Sequence, residues 1–135
     1  MIALITGASS GIGRDMARTL NNLNYDIIIV ARDKEKLEEL KKELNEKNNN
    51  KVEIYIADLS KEEECINLYN EIKEKYKYID LLINNAGFGL CGKMINTDIN
   101  TEMQMIDTNI KAVHIITKLF LKDMVERDSG KILHL

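Results

Sequence analysis

Short apolar runs and helix-length polar stretches take turns along this chain, and that alternation constrains its fold more than any single motif. Ile2 to Thr6 (IALIT) is apolar and strand-sized, and Gly11 to Leu23 follows with a helical pattern. Tyr25 to Ala31 (YDIIIVA) is a nearly continuous β-branched run, as expected of a strand buried on both faces. Asp33 to about Asn45 reads as an amphipathic helix whose interleaved Glu and Lys form i,i+4 pairs on a solvated face. Val52 to Ala57 is a third strand, and Ser60 to Glu63 fit a capping box that opens a helix running to about Tyr76. Ile79 to Asn84 is a fourth strand. A polar, glycine-containing loop from Asn85 to Asn100 leads to one long helix, about Thr101 to Glu126, and Lys131 to Leu135 begin a fifth strand. Strands and helices alternating at these lengths predict an α/β fold: right-handed βαβ units, a parallel sheet, and helices on both of its faces. At 135 residues the chain is expected to be one domain able to bury a real core.

Charge and composition narrow the partners. A net charge of −3 supplies no basic field, so nucleic acid is not an expected partner. No apolar run approaches the length that crosses a bilayer, and residues 1–10 lack a secretory pattern, so no membrane association and a cytoplasmic location are expected. Cys65 and Cys91 are far apart and match no metal spacing; they read as reduced, inert thiols.

TGASSGIG, residues 6–13, sits between the first strand and the first helix. A helix N-terminus presents unpaired N–H groups and the positive end of its dipole, which suits a phosphate. Gly7, Gly11 and Gly13 lack the Cβ atoms that would obstruct a tight turn, a pyrophosphate, or a helix packed closely on a strand.

With TGASSGIG, Asp58 in ADLS, NNAG at 84–87 and Asn109 in MIDTNIKAV, the chain resembles the short-chain dehydrogenase/reductase family along essentially its whole length. The four motifs together are specific, and they argue against a flavodoxin-like or receiver-like domain of similar size. The resemblance implies a Rossmann-like, doubly wound sheet in strand order 3-2-1-4-5, truncated before the family's last strands. It also implies cofactor-binding roles for Thr6, Gly7, Ser9, Ser10, Gly11, Ile12 and Gly13 in the loop. Asp58 would bind the adenine amino group with Leu59 beside the ring, and Asn85, Ala86 and Gly87 would pass near the adenosine ribose. Asn109 matches the helix asparagine that holds a proton-relay water in the family's Asn-Ser-Tyr-Lys tetrad.

An NAD enzyme of this fold places a carboxylate at the end of strand two to accept from the ribose 2′-hydroxyl. Ala31 stands there, followed by Arg32, a neutral residue and a guanidinium that suit a 2′-phosphate. NADP(H) is therefore expected over NAD(H). Asp33 reads as a helix N-cap, and Arg14 either adds positive potential to the glycine loop or is a solvated helix residue.

Hydride transfer to a carbonyl needs a proton donor at the new alkoxide. In the family a Tyr-x-x-x-Lys pair and a Ser supply that chemistry beyond the fifth strand. The 135 residues are thus expected to bind nucleotide without turnover, as the first half of an NADP(H)-dependent alcohol/carbonyl oxidoreductase. The alternative is a non-catalytic dinucleotide-binding or structural module. Tyr69 and Lys73 also spell Y-x-x-x-K, but they read as surface residues of the helix between strands three and four, across the sheet from the nicotinamide. His114 and His134 read as packing or surface residues. Met103, Ile106, Ile110, Val113, Phe120 and Met124 form a helical stripe, widened by Met105, Ile116 and Leu119, that reads first as core. The family pairs this helix with a second subunit, so a homo-oligomer is expected, and association or aggregation of the isolated half with it.

Overall fold

The computed structural model describes all of residues 1–135. Its elements are β1 (Ile2–Thr6), α1 (Gly11–Asn22), β2 (Asp26–Ala31), α2 (Lys34–Lys47), β3 (Val52–Ile56), α3 (Glu62–Lys75), β4 (Leu81–Asn84), α4 (Ile99–Ile106), a π-helical segment (Asp107–Ala112), α5 (Val113–Glu126) and β5 (Lys131–His134). The five strands are parallel and lie in the order β3-β2-β1-β4-β5, as the alternation and the family resemblance lead one to expect.

The two-residue period of β2 explains why its whole run is apolar. Ile28 and Val30 face one side of the sheet with Leu4 and Leu82, against Leu68 and Ile72 of α3 and Ile116 and Phe120 of α5. Ile27 and Ile29 face the other side with Ala3 and Ile5, against Ala17 and Leu20 of α1 and Leu37, Leu40 and Leu44 of α2. Each Ile or Leu so buried contributes roughly 1.5–3 kcal/mol. Strand order reverses at β1, between β2 and β4, which opens a crevice beyond the strand C-termini where this topology receives ligands.

Three local expectations are corrected. The capping box does not form: α3 begins at Glu62 behind Lys61, which makes no side-chain cap. The Ser60 hydroxyl instead donates to Asp58 Oδ1 at 2.7 Å, and Glu64, not Glu63, reaches back to accept from the Asp58 amide. The long helix starts earlier, capped by Asp98, and is interrupted by the π segment. Its apolar stripe splits accordingly. Ala112, Ile116, Phe120 and Met124, four residues apart, are buried, whereas Met103, Ile106 and Ile110 are exposed.

Tyr69 and Lys73 are half-buried and not simple surface residues. Helix α3 shares a face with α5, where Tyr69 packs edge-on against Phe120 and donates to Asp123 Oδ2 at 2.9 Å. Lys73 Nζ lies 3.1 Å from the same carboxylate. Partial burial and then the Asp123 contact push the Tyr69 phenol up to about 12, the opposite of an activated proton donor. No helix is long and apolar enough to cross a membrane.

Candidate functional site

The glycines of the first loop do different jobs. Gly7 and Gly11 have φ of +67° and +54°, in the left-handed region. A Cβ on Gly7 would also lie 2.7 Å from Ala86 Cα, while one on Gly11 would meet nothing within 4 Å. Gly13 is buried, and its Cβ would fall 2.3 Å from Asn85 Nδ2 and 2.5 Å from Gly7 O. Gly13 therefore closes α1 onto the loop after β4 and leaves no room there for a side chain.

Thr6 fastens the same junction. Its hydroxyl donates to Ile83 O at 3.4 Å and accepts from the amides of Asn85 (3.1 Å) and Ala86 (3.0 Å). Asn85 Nδ2 in turn donates to Thr6 O and Gly7 O, at 3.2 and 3.0 Å. Ser10 caps α1 in position but makes no side-chain capping bond. The first-turn N–H groups at Gly11 to Gly13 have no intrahelical acceptor and are available to an anion.

Over this loop lies a cavity of about 690 Å³. From the candidates named above, Gly7, Ser9, Ser10, Ile12, Arg32, Asp58, Leu59, Asn85, Ala86 and Gly87 line it. Thr6, Gly11, Gly13 and Asn109 do not. Ala31, Asp33, Lys36, Ala57, Phe88 and Thr108 complete the wall. Lys36, Phe88 and Thr108 were not singled out in the sequence; only their nearness to Asp33, NNAG and Asn109 could have flagged them.

Charge is unevenly placed around the cavity. Arg14 is drawn away from the glycine loop, its guanidinium 3.9 and 3.8 Å from Glu39 and Glu43 of α2, so it adds no free cation there. Arg32 is exposed on the cavity wall and forms no ion pair. Asp33 caps α2 as expected, accepting from Lys36 N at 3.1 Å, yet it also faces the cavity. Asp58 Oδ1 accepts from the Ser60 amide (3.1 Å) and hydroxyl (2.7 Å). Partial burial raises the Asp58 pKa. The two Ser60 bonds and the Arg32 and Lys61 charges outweigh that and hold it below the usual carboxylate range.

Asn109 sits within the π segment, a helix form that concentrates at functional sites. Its Oδ1 accepts from Phe88 N at 3.0 Å and its Nδ2 donates to Phe88 O at 2.8 Å. A Cβ on Gly87 would lie 2.8 Å from Asn109 Oδ1, so any side chain there would push Asn109 aside. The residue thus grips the loop after β4, and it lines a second hollow of about 550 Å³ with Ile110, Val113, His114, Thr117, Lys118, Leu121 and His134. Asn84, buried at the end of β4, donates to Thr117 Oγ1 at 2.9 Å and lies 3.2 Å from His134 Nδ1. His134 is exposed, in line with the packing-or-surface reading, and its ring rests against Asn84 at the sheet end. The cluster that a metal would need is absent.

A glycine loop and helix N-terminus at the switch point of a 3-2-1-4-5 parallel sheet, with an acidic residue just beyond β3, define a Rossmann-type nucleotide-binding α/β protein. The short chain dehydrogenase family model matches residues 1–135, and the chain belongs to that family. It is similar to an uncharacterized oxidoreductase of Staphylococcus saprophyticus, 35% identical over 99% of this chain and 57% of the relative. It is also similar to a probable NADP-dependent dehydrogenase of Haemophilus influenzae, 37% identical over 98% of this chain and 52% of the relative. Among solved structures, a metagenomic short-chain oxidoreductase in complex with NADP superposes with a TM-score of 0.94 at 29% identity, over 99% of this chain and 60% of that one. The chain spans about half the length of these relatives.

Proposed function

We propose that these 135 residues act as one NADP(H)-binding domain, incomplete relative to its family, of an enzyme that interconverts an alcohol and a carbonyl by hydride transfer. The observation that carries the cofactor preference is the end of β2. Neutral Ala31 and unpaired Arg32 face the cavity where a carboxylate would be needed for a ribose 2′-hydroxyl. The NADP named with the metagenomic relative supports the same reading.

The residues present fit the group. The dinucleotide, when bound, supplies or accepts the hydride. The N–H groups at the start of α1, with Ser9 and Ser10, hold the pyrophosphate over a loop that Gly7 and Gly11 keep in its left-handed turn. Arg32 holds the 2′-phosphate, Asp58 accepts from the adenine amino group beside Leu59, and Asn85 to Gly87 flank the ribose. Asn109 has one acceptor lone pair and one N–H left after gripping Phe88, enough to hold a relay water.

Proton donation to the substrate requires residues additional to these 135, because no Tyr lines the cavity and Tyr69 is committed to Asp123. The small-molecule substrate, a cytoplasmic location, and a homo-oligomer built through exposed Met103, Ile106 and Ile110 belong to the same proposal. A fluorescence titration of this chain with NADPH and NADH tests it. Tight NADPH binding and much weaker NADH binding, without carbonyl turnover, are expected. Equal affinities would sink the cofactor assignment, and turnover by the chain alone would sink the division of labour.

A further inference from the structure

We infer that Lys36 is a specificity-determining residue, which together with Arg32 forms a two-cation clamp for the 2′-phosphate and at the same time keeps Asp33 from serving a 2′-hydroxyl. This rests on the cofactor reading above and assigns to one residue a role that Arg32 alone does not fill.

Charge balance on the cavity wall is the reason. Two cations, Arg32 and Lys36, and two carboxylates, Asp33 and Asp58, face it. A phosphate monoester carries nearly two negative charges at neutral pH. With Lys36 present the wall is neutral overall, and its cations can turn toward the phosphate. Without Lys36 the wall is anionic and opposes one.

Asp33 is the second half of the inference. It directly follows Arg32, close to where an NAD-binding carboxylate belongs in this fold, and it lines the cavity. Both oxygens are engaged by the same residue. Oδ1 accepts from Lys36 N at 3.1 Å, and Oδ2 lies 3.7 Å from Lys36 Nζ. At 3.7 Å the ammonium is an ion-pair partner and not a tight hydrogen-bond donor, so the long, half-exposed side chain can reach toward an incoming phosphate. Removing the ammonium leaves the Oδ2 charge without its ion-pair partner, so that Asp33 attracts a ribose hydroxyl more strongly and repels a phosphate. One substitution thus weakens the phosphorylated ligand and strengthens the unphosphorylated one.

Calorimetric titration with 2′,5′-ADP and with 5′-AMP isolates this end of the site, since neither probe carries nicotinamide. The expected result for the unmodified chain is a clear preference for 2′,5′-ADP. Lys36→Met, which keeps the apolar stem, should lower that preference about tenfold, the range of one lost charge-assisted hydrogen bond. Asp33→Asn, which retains a good N-cap, should raise it. If the unmodified chain discriminates and Lys36→Met discriminates equally well, Arg32 alone carries the phosphate and the clamp is refuted, while the cofactor assignment stands. If the unmodified chain does not prefer 2′,5′-ADP, the cofactor assignment fails and the clamp fails with it. Unchanged thermal melts of both variants would show that binding, not folding, has moved.

Discussion

Gly13→Ala is the sharpest test of how the nucleotide loop is built. The added methyl would lie 2.5 Å from Gly7 O and 2.3 Å from Asn85 Nδ2. The first of these is backbone, so no rotamer change relieves it. Pushing Asn85 aside loses its two bonds to Thr6 O and Gly7 O, about 0.5–1.5 kcal/mol each. Overpacking adds about 1–3 kcal/mol. The better helix propensity of Ala returns up to about 1 kcal/mol, leaving a net loss of roughly 1–5 kcal/mol. Gly11→Ala is the internal control. It meets no neighbour, and its cost is only the left-handed backbone, about 1–2 kcal/mol. Urea unfolding followed by circular dichroism gives both values, and NADPH titration of each folded variant gives the functional counterpart. We expect Gly13→Ala to be the less stable of the two and to bind NADPH poorly even where it remains folded. A Gly13→Ala chain as stable as the parent, or a Gly11→Ala chain that is the weaker of the pair, would refute the assignment of Gly13 to packing and Gly11 to backbone conformation.

Three further outcomes are expected. The hydrogen bonds from Arg18, helped by Lys47, hold the Glu43 carboxyl at about 2, so its contribution is present above the ordinary carboxylate range and is lost as pH falls toward 2; discounted for solvent screening it is about 1 kcal/mol or less. Urea midpoints at pH 6 and pH 3 should therefore fall more for the parent than for Glu43→Gln. Asn109→Ala removes both bonds to Phe88 and should speed exchange of the Phe88 amide about tenfold while the amides of β1 stay protected; unchanged exchange would show that the grip carries no load. Tyr69→Phe should cost about 1 kcal/mol by leaving Asp123 one donor short, and NADPH affinity should not move; a weakened affinity would contradict its placement in the α3–α5 contact.

The order of strands was readable because each apolar run is bounded and each intervening stretch is long enough for one crossover helix. Ile27 to Val30 left little choice, since only a sheet covered on both faces buries four consecutive side chains completely. Arg14 stayed open in the sequence because its glutamate partners lie some 25–29 positions away on α2. The capping box failed for a local reason, since Asp58, two residues back, captures the Ser60 hydroxyl before it can cap α3. The apolar stripe from Met103 to Met124 looked continuous because a period of 3.6 contains no mark for an inserted residue. The π segment adds that residue and turns the following side chains by about 100°, separating the exposed row from the buried one. Asp33 was read correctly as a cap; that a cap can also face the cavity depends on the direction in which α2 leaves β2, which no local pattern encodes.

The Thr6 hydroxyl has a consequence for how the protein comes into being. Its partners Ile83, Asn85 and Ala86 lie 77–80 positions downstream. On a ribosome adding about 5–20 residues per second, the glycine loop emerges several seconds before the residues that fasten it. In that interval β1 and β2 can pair and α1 can form, but the loop between them has nothing to close against. Pairing across so long a separation is slow to find and adds to the contact order of the whole domain. The nucleotide cavity is accordingly a late product of synthesis, and a nascent chain halted before Asn85 would carry the glycine motif without a place to bind anything.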